Sequence, residues 1–117
     1  MNTLSTPRRA PAEWRAAEGP LLRQTFVVTL EHGMHARPCA ALVKALQPFE
    51  AQIDVEANGQ RANGQSVLGL MALAAGHGAR MTFAIGGADA SRAMEAVRAL
   101  FDTHFGEVRA RAAGTGP

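Results

Sequence analysis

Hydrophobic patterns typical of strands and of helices occur along this chain in a definite order, and that order limits the folds that the chain can form. Alternating or β-branched segments predict strands at residues 24–30, 53–57, 60–63 and 81–85. Asn58 and Gly59 form a strong hairpin-turn signal that joins the second strand to the third.

Three helices are predicted between and after these strands. Pro38 suits a first helical turn, because its missing N–H would be unpaired there, and apolar residues at positions 39, 42, 43 and 46 then form one helical face. Ser66 is expected to cap a short helix over 67–73, and Asp89 to cap a last helix whose apolar stripe extends to Phe105. The order β-α-β-β-α-β-α predicts a two-layer α+β fold, with one mostly antiparallel sheet and helices on one of its faces.

A length of 117 residues fits one domain with flexible ends. We expect a folded domain at 24–108, a mostly disordered basic extension at 1–23 with a short helix near Trp14, and a flexible tail at 109–117. The longest apolar run, 67–75, is about half of what a membrane crossing needs, so no membrane partner is expected. The single cysteine, Cys39, cannot form an internal disulfide, and we expect a cytoplasmic monomer.

The net charge of +2 is unevenly distributed along the chain. The two ends are basic, whereas residues 24–108 hold six basic and eight acidic side chains, a net charge of −2. A nucleic-acid-binding domain concentrates basic charge on its folded surface, so nucleic acid is not an expected partner. The chain also lacks a Walker-type or G-x-G-x-x-G loop, and no nucleotide site or other cofactor is predicted.

The segment Gly33-Met34-His35-Ala36-Arg37-Pro38 places an imidazole just before a helix N-terminus and a guanidinium two residues later. A helix start offers unpaired N–H groups and a positive dipole end, which stabilise a nearby anion by about 0.3–1 kcal/mol. Arg37 supplies donors that match phosphate oxygens, and Gly33 lets the loop bend toward the helix end. A neutral imidazole can form a phosphoramidate. These residues together predict reversible phosphoryl storage on His35.

The same residues have plainer interpretations. A histidine in a glycine-containing loop is more often a surface turn residue, and Arg37 also fits a solvated first turn or an ion pair with Glu31. His32, His35 and Cys39 could be imagined as metal ligands, but three ligands without a second cluster are weak evidence, and no metal is predicted. Cys39 fits a small core residue better.

Three segments carry a family resemblance. GMHARPCAALVKAL is similar to a phosphohistidine motif, NGQRANGQSVLGLMALAAGHG to a second signature around a regulatory serine, and GGADASRAMEAVRALF to a closing strand–helix junction. In this order, from residue 25 to residue 107, the chain resembles the HPr phosphocarriers of the bacterial phosphoenolpyruvate:sugar phosphotransferase system.

The resemblance implies an open-faced β-sandwich of four antiparallel strands with three helices on one face. It implies that His35 takes a phosphoryl group on Nδ1 from the phosphohistidine of Enzyme I and passes it to a IIA-type acceptor in sugar uptake. Enzyme I would itself be phosphorylated by phosphoenolpyruvate. Arg37 would steady the phosphate. The protein would then be a carrier and not a free-standing enzyme. The alternative is a nitrogen- or metabolism-linked regulatory protein, which acts through partner binding controlled by phosphorylation at His35 or Ser66.

Ser66 matches the serine that an HPr kinase/phosphorylase modifies in some bacteria, although Gln65 precedes it where Lys is frequent in the family. A phosphate at a helix N-terminus is tolerated by the helix and repels an acidic partner surface. In the family the first two helices form the docking face, and spacing alone does not say which of their side chains face outward. The apolar residues expected to include the partner contacts are Val67, Leu68, Leu70 and Met71.

Overall fold

A computed structural model describes residues 21–107, and these form one four-stranded sheet with helices packed against it. Along the sheet the strands lie in the order β1-β4-β2-β3, and every neighbouring pair is antiparallel. The strands are β1 (Leu22–Val27), β2 (Gln52–Ala57), β3 (Gln60–Asn63) and β4 (Arg80–Gly86).

The hairpin between β2 and β3 forms at the predicted turn. Ala57 pairs with Gln60 across it, and the two residues between them have positive φ values, 53° for Asn58 and 76° for Gly59. Both central residues of a type I′ turn require positive φ, which Asn and Gly adopt most readily. The hairpin prediction is therefore confirmed.

Three helices follow in the predicted order: α1 (Ala36–Leu46), α2 (Val67–Ala72) and α3 (Ala90–Asp102), with a short turn at His104–Gly106 after the last. Leu42 of α1, Leu70 of α2 and Val97 of α3 are fully buried in the core together with Val55 and Phe83 of the sheet. The expected two-layer α+β sandwich is confirmed.

The opposite face of the sheet carries polar side chains. Thr25 and Thr82, which pair across β1 and β4, share a hydrogen bond of 2.7 Å between their hydroxyls. Asp54 of β2 forms an ion pair with Arg61 of β3 at 3.1 Å. This alternation of apolar and polar faces is what a sheet covered by helices on one side requires.

Several predicted boundaries differ from the structure. The first strand runs over Leu22–Val27 and not 24–30, because it pairs with β4 from Leu22 onward. Leu22 and Arg23 therefore belong to the sheet and not to the extension expected at 1–23. Residues 1–20 of that extension, with the helix expected near Trp14, lie outside the described part of the chain, and so does the tail expected at 109–117.

The last helix begins after Asp89 as predicted, but its C-terminal end and its capping differ from the prediction. It stops at Asp102, and Phe105 follows in a left-handed conformation (φ 55°) rather than continuing the helical stripe. Asp89 occupies the N-cap position of α3, but its carboxylate does not cap the helix. One oxygen instead accepts a hydrogen bond from the backbone N–H of Glu50 at 2.8 Å, which ties the loop before β2 to the helix start.

Within residues 21–107, none of the helices is long and apolar enough to span a membrane.

Candidate phosphoryl-transfer site

The loop between β1 and α1 is held by a close backbone approach at Gly33. This residue has φ +68°, and a Cβ placed on it would lie 2.8 Å from the carbonyl oxygen of Ala75 and 2.8 Å from Cα of Gly76. The next residue, Met34, donates its backbone N–H to the same Ala75 carbonyl at 2.9 Å. Glycine is therefore required here by both conformation and space, and the loop is fixed against the segment that follows α2.

His35 is the N-cap residue of α1, with extended backbone angles (φ −84°, ψ −167°). Its carbonyl accepts the first helical hydrogen bond, from Cys39, but its side chain makes no capping bond. The backbone N–H groups of Ala36 and Arg37 find no acceptor in the described part of the chain, and Pro38 has no N–H to offer. The helix end beside the imidazole thus presents two unpaired donors, as an anion-binding helix start does.

The two nitrogens of the His35 ring have different surroundings. Nε2 lies 3.1 Å from Oε1 of Glu107, within hydrogen-bond distance, whereas Nδ1 has no hydrogen-bond partner among residues 21–107. An ionised carboxylate only accepts hydrogen bonds, so this contact needs the proton on Nε2. In the neutral ring the lone pair is then on Nδ1. The side chain is 39% exposed, so the ring is partly accessible from solvent.

Arg37 lies in the first turn of α1 with its side chain 77% exposed. Its Nε is 3.7 Å from Oε2 of Glu107, an ion-pair distance that is too long for a hydrogen bond. The structure thus places Arg37 beside Glu107 rather than in the alternative pairing with Glu31. A guanidinium held this loosely is available to a phosphate on the neighbouring ring.

These residues surround an open cleft of about 350 Å³. The cleft is open to solvent, so a phosphoryl group presented by a partner protein can reach it. The cleft is lined by Glu31, His32, His35, Arg37, Gly106 and Glu107.

Cys39 does not take part in this site. Its side chain is fully buried, and the thiol donates a hydrogen bond to the carbonyl of Met34 at 3.4 Å. Burial raises the pKa of the Cys39 thiol to about 11. The thiol is therefore neither a reactive nucleophile nor a ligand that could join His32 and His35, and the interpretation of Cys39 as a core residue is the one that fits.

Ser66 is the N-cap of α2, as predicted. Its backbone is extended (φ −119°, ψ 113°), and its hydroxyl oxygen accepts a hydrogen bond from the backbone N–H of Gly69 at 2.9 Å. The capping interpretation is confirmed by this bond. The hydroxyl therefore stands at the same kind of helix start as His35 does on α1.

The four apolar residues proposed as partner contacts divide between surface and core. Leu68 is 79% exposed and Met71 is 39% exposed, while Val67 is half-buried. Leu70 is fully buried, so its assignment as a partner contact is wrong. It lies on the side of α2 that turns toward the sheet, where it packs in the core.

Glu107 is the residue of this site that sequence reasoning missed. Seventy-two positions separate it from His35, and no local pattern links a glutamate beyond the last helix to a loop before the first. The chain turn at His104–Gly106 brings the two together.

The comparison with known families settles the relationship of this chain. The family described as "PTS HPr component phosphorylation site" matches residues 22–103. This chain belongs to the HPr family. The family resemblance of the three sequence motifs is confirmed, and the matched residues include the loop of His35 and the helices α1 and α2.

Individual HPr proteins are similar over almost their whole length. The phosphocarrier protein HPr of Xylella fastidiosa strain 9a5c is 34% identical over 87 residues, which are 74% of this chain and 98% of that protein. The crystal structure of HPr-C-His from Thermoanaerobacter tengcongensis has a TM-score of 0.70 at 31% identity and covers 74% of this chain and 98% of its own. The multiphosphoryl transfer protein of Escherichia coli O157:H7 is 38% identical over 90 residues, but these are only 24% of its length.

Proposed function

We propose that His35 accepts a phosphoryl group on Nδ1 from the phosphohistidine of Enzyme I and passes it to a IIA-type acceptor. The observation that carries this proposal is the asymmetry of the His35 ring. Nε2 is occupied by Glu107 at 3.1 Å, while Nδ1 has no partner in the described chain and lies on a part-exposed ring at the start of α1.

The transfer exchanges one nitrogen–phosphorus bond for another. The lone pair of Nδ1 attacks the phosphorus of the donor, the bond between phosphorus and the donor imidazole breaks, and its electron pair returns to that ring. The His35 ring keeps its Nε2 proton, so after transfer it is formally cationic, and the donor ring becomes neutral. The phosphate oxygens then lie near the unpaired N–H groups of Ala36 and Arg37 and the Arg37 guanidinium, all of which favour an anion.

The exposure of the site supports a carrier rather than an enzyme with a substrate of its own. The cleft is open, and the His35 ring is accessible without movement of the core. A phosphoryl donor and an acceptor must each reach the same nitrogen in turn, which a surface site permits. Each partner protein would then supply the rest of the catalytic surroundings during its own encounter.

The surface of α2 is the proposed docking area for these partners. Leu68 is the most exposed of the large apolar side chains in the described chain, and Met71 lies one turn further along the same short helix. Helices α1 and α2 pack against each other, so this apolar surface lies on the helix next to the one that begins after His35. A flexible methionine beside a leucine suits contacts with more than one partner.

We assign Ser66 as a second, regulatory acceptor, for an HPr kinase/phosphorylase. Its hydroxyl lies at a helix N-terminus, where the dipole favours a phosphate. The added charge of about −1.5 to −2 would act on partner binding at the neighbouring apolar surface rather than on the His35 chemistry.

The test is incubation of the protein with phosphoenolpyruvate and Enzyme I, followed by intact-mass measurement. The expected result is one added phosphoryl group that is labile in acid and absent in His35→Ala. His32→Ala is the matched control, because His32 lines the same cleft and should leave loading intact. Failure of the unmodified protein to gain the group, or equal loss in both variants, would sink the proposal.

A further inference from the structure

The segment that carries Glu107 has an unusual backbone. His104, Phe105 and Gly106 are three successive residues with positive φ, at 54°, 55° and 73°. For the two non-glycine residues this left-handed conformation is strained. Such a run persists only where the surrounding structure holds it in place.

Two side-chain anchors hold this turn. Phe105 is buried, and its ring meets that of Phe101 edge-on with centroids 4.9 Å apart. His104 shares a hydrogen bond of 2.9 Å between its Nδ1 and the hydroxyl of Thr29, in the segment between β1 and the His35 loop. The chain end after α3 is therefore fixed to the same part of the molecule that presents His35.

Glu107 leaves this turn with its carboxylate directed at the site. The side chain is only 13% exposed, although it is a glutamate near the end of the described chain. Oε1 contacts Nε2 of His35 at 3.1 Å, and Oε2 is buried without a hydrogen bond in residues 21–107, with Nε of Arg37 at 3.7 Å. Withdrawing a carboxylate from water costs free energy unless hydrogen bonds or charge partners offset it. Here the Nε2–H of His35 supplies a hydrogen bond and the Arg37 guanidinium supplies an opposite charge.

We infer that Glu107 is the positioning residue of the phosphoryl site, which holds the proton of His35 on Nε2 and directs the lone pair of Nδ1 outward. The inference rests on the proposed carrier function. In the free protein the carboxylate fixes one tautomer and one ring orientation. During transfer it stabilises the positive charge that the ring acquires when Nδ1 bonds to phosphorus, as a buried carboxylate does for a catalytic histidine. At Oε2 it also holds Arg37 near the ring before the phosphate arrives.

The first test reads the tautomer directly, in the unphosphorylated protein, by 15N-edited NMR of the His35 ring. The unmodified protein should show Nε2 protonated and Nδ1 bare in the neutral ring. Glu107→Ala should give a mixture of both tautomers, while Glu107→Gln, whose amide oxygen still accepts a hydrogen bond, should preserve the Nε2–H form. An unchanged tautomer in Glu107→Ala overturns the inference.

The second test is the initial rate of phosphorylation by Enzyme I. Glu107→Ala should lower this rate about tenfold or more. Glu107→Gln should lower the rate less, because it keeps the orienting hydrogen bond but not the charge. Glu95→Gln is the matched control, since Glu95 is an exposed carboxylate on α3 that does not line the cleft. Equal losses in the Glu95 and Glu107 variants would show a general charge effect and overturn the inference.

These experiments distinguish a failure of the carrier function from a failure of the positioning role of Glu107. A protein that gains no phosphoryl group but shows the tautomer change contradicts the carrier function and leaves the positioning role intact. A protein that is phosphorylated at the same rate with and without Glu107 contradicts the positioning role alone.

Discussion

Single residues decide the geometry around His35, and Gly33 is the one whose backbone requirement is strictest. Its positive φ and its approach to Ala75 and Gly76 both exclude a side chain. Gly59 offers a comparison, because it also has positive φ (76°) but has no atom within 4 Å of an added Cβ.

Gly33→Ala is therefore expected to destabilise the protein more than Gly59→Ala does. The Gly59 variant adds only backbone strain, about 1 kcal/mol. The Gly33 variant adds the same strain and a clash with backbone, which together cost roughly 2–4 kcal/mol. Urea denaturation of both variants measures the difference, and equal losses would contradict the close packing of the loop against the segment after α2.

Arg37 is expected to act on the phosphate and not on stability. A charge-assisted hydrogen bond contributes about 1.5–3 kcal/mol, so Arg37→Ala should slow phosphorylation by Enzyme I roughly tenfold to a hundredfold. Arg37→Lys should recover part of the loss, because it keeps the charge but not the planar fork. Arg92, 74% exposed on α3 and away from the cleft, is the matched control. A comparable loss in Arg92→Ala would indicate a nonspecific charge effect.

The residues of the site were predictable from the sequence only where they lie close to one another along the chain. His35 and Arg37 sit in one short motif at a helix start, and physical reasoning plus a family pattern found both. Glu107 belongs to no motif, and its role depends on a left-handed turn at His104 and Phe105 that side-chain type does not favour. Tertiary anchors impose that turn, so sequence reasoning had no signal for it.

At the scale of elements, the order of strands and helices followed from periodicity and turn residues, while several ends did not. The first strand begins where pairing with β4 begins, at Leu22, and pairing partners cannot be read from one segment. In α2 the run of apolar residues hides which side faces the core, and only packing shows that Leu70 is inside and Leu68 outside.

The short helix α2 depends on its cap. Loss of the Ser66 hydroxyl in Ser66→Ala removes the acceptor for the Gly69 N–H and should cost about 1 kcal/mol in the free energy of unfolding. The same variant should refuse an acid-stable phosphoryl group from ATP and an HPr kinase, while Ser91→Ala, in the first turn of α3, should still accept it. Mass measurement after kinase treatment checks this, and phosphorylation of Ser66→Ala would contradict the assignment.

At the scale of the whole molecule, the core contains one titratable thiol whose ionisation is coupled to folding. Burial raises the pKa of Cys39 from 9.0 to about 11. Below about pH 9 the thiol is protonated in both the folded and the unfolded chain, so its contribution to stability is fully present. As the pH rises from 9 to 11 the unfolded chain releases its proton first, and the free energy of unfolding falls.

Cys39→Ala should therefore flatten the loss of stability in this alkaline range, because alanine does not titrate. The variant leaves a small cavity, which lowers its free energy of unfolding at neutral pH. The difference in free energy of unfolding between the unmodified protein and the variant should shrink between pH 9 and pH 11. Urea denaturation across this range measures it. A constant difference at all pH values would show that the buried thiol does not ionise on unfolding in the expected way.

The central claim, that His35 stores a phosphoryl group and hands it on, is tested most directly by a two-step mass measurement. The protein is loaded with phosphoenolpyruvate and Enzyme I, freed of both, and then mixed with a IIA-type acceptor. One phosphoryl group should appear on this protein, be absent in His35→Ala, and then move to the acceptor. A loaded protein that keeps its phosphoryl group in the presence of every IIA-type acceptor tried would contradict the carrier role and favour the regulatory alternative.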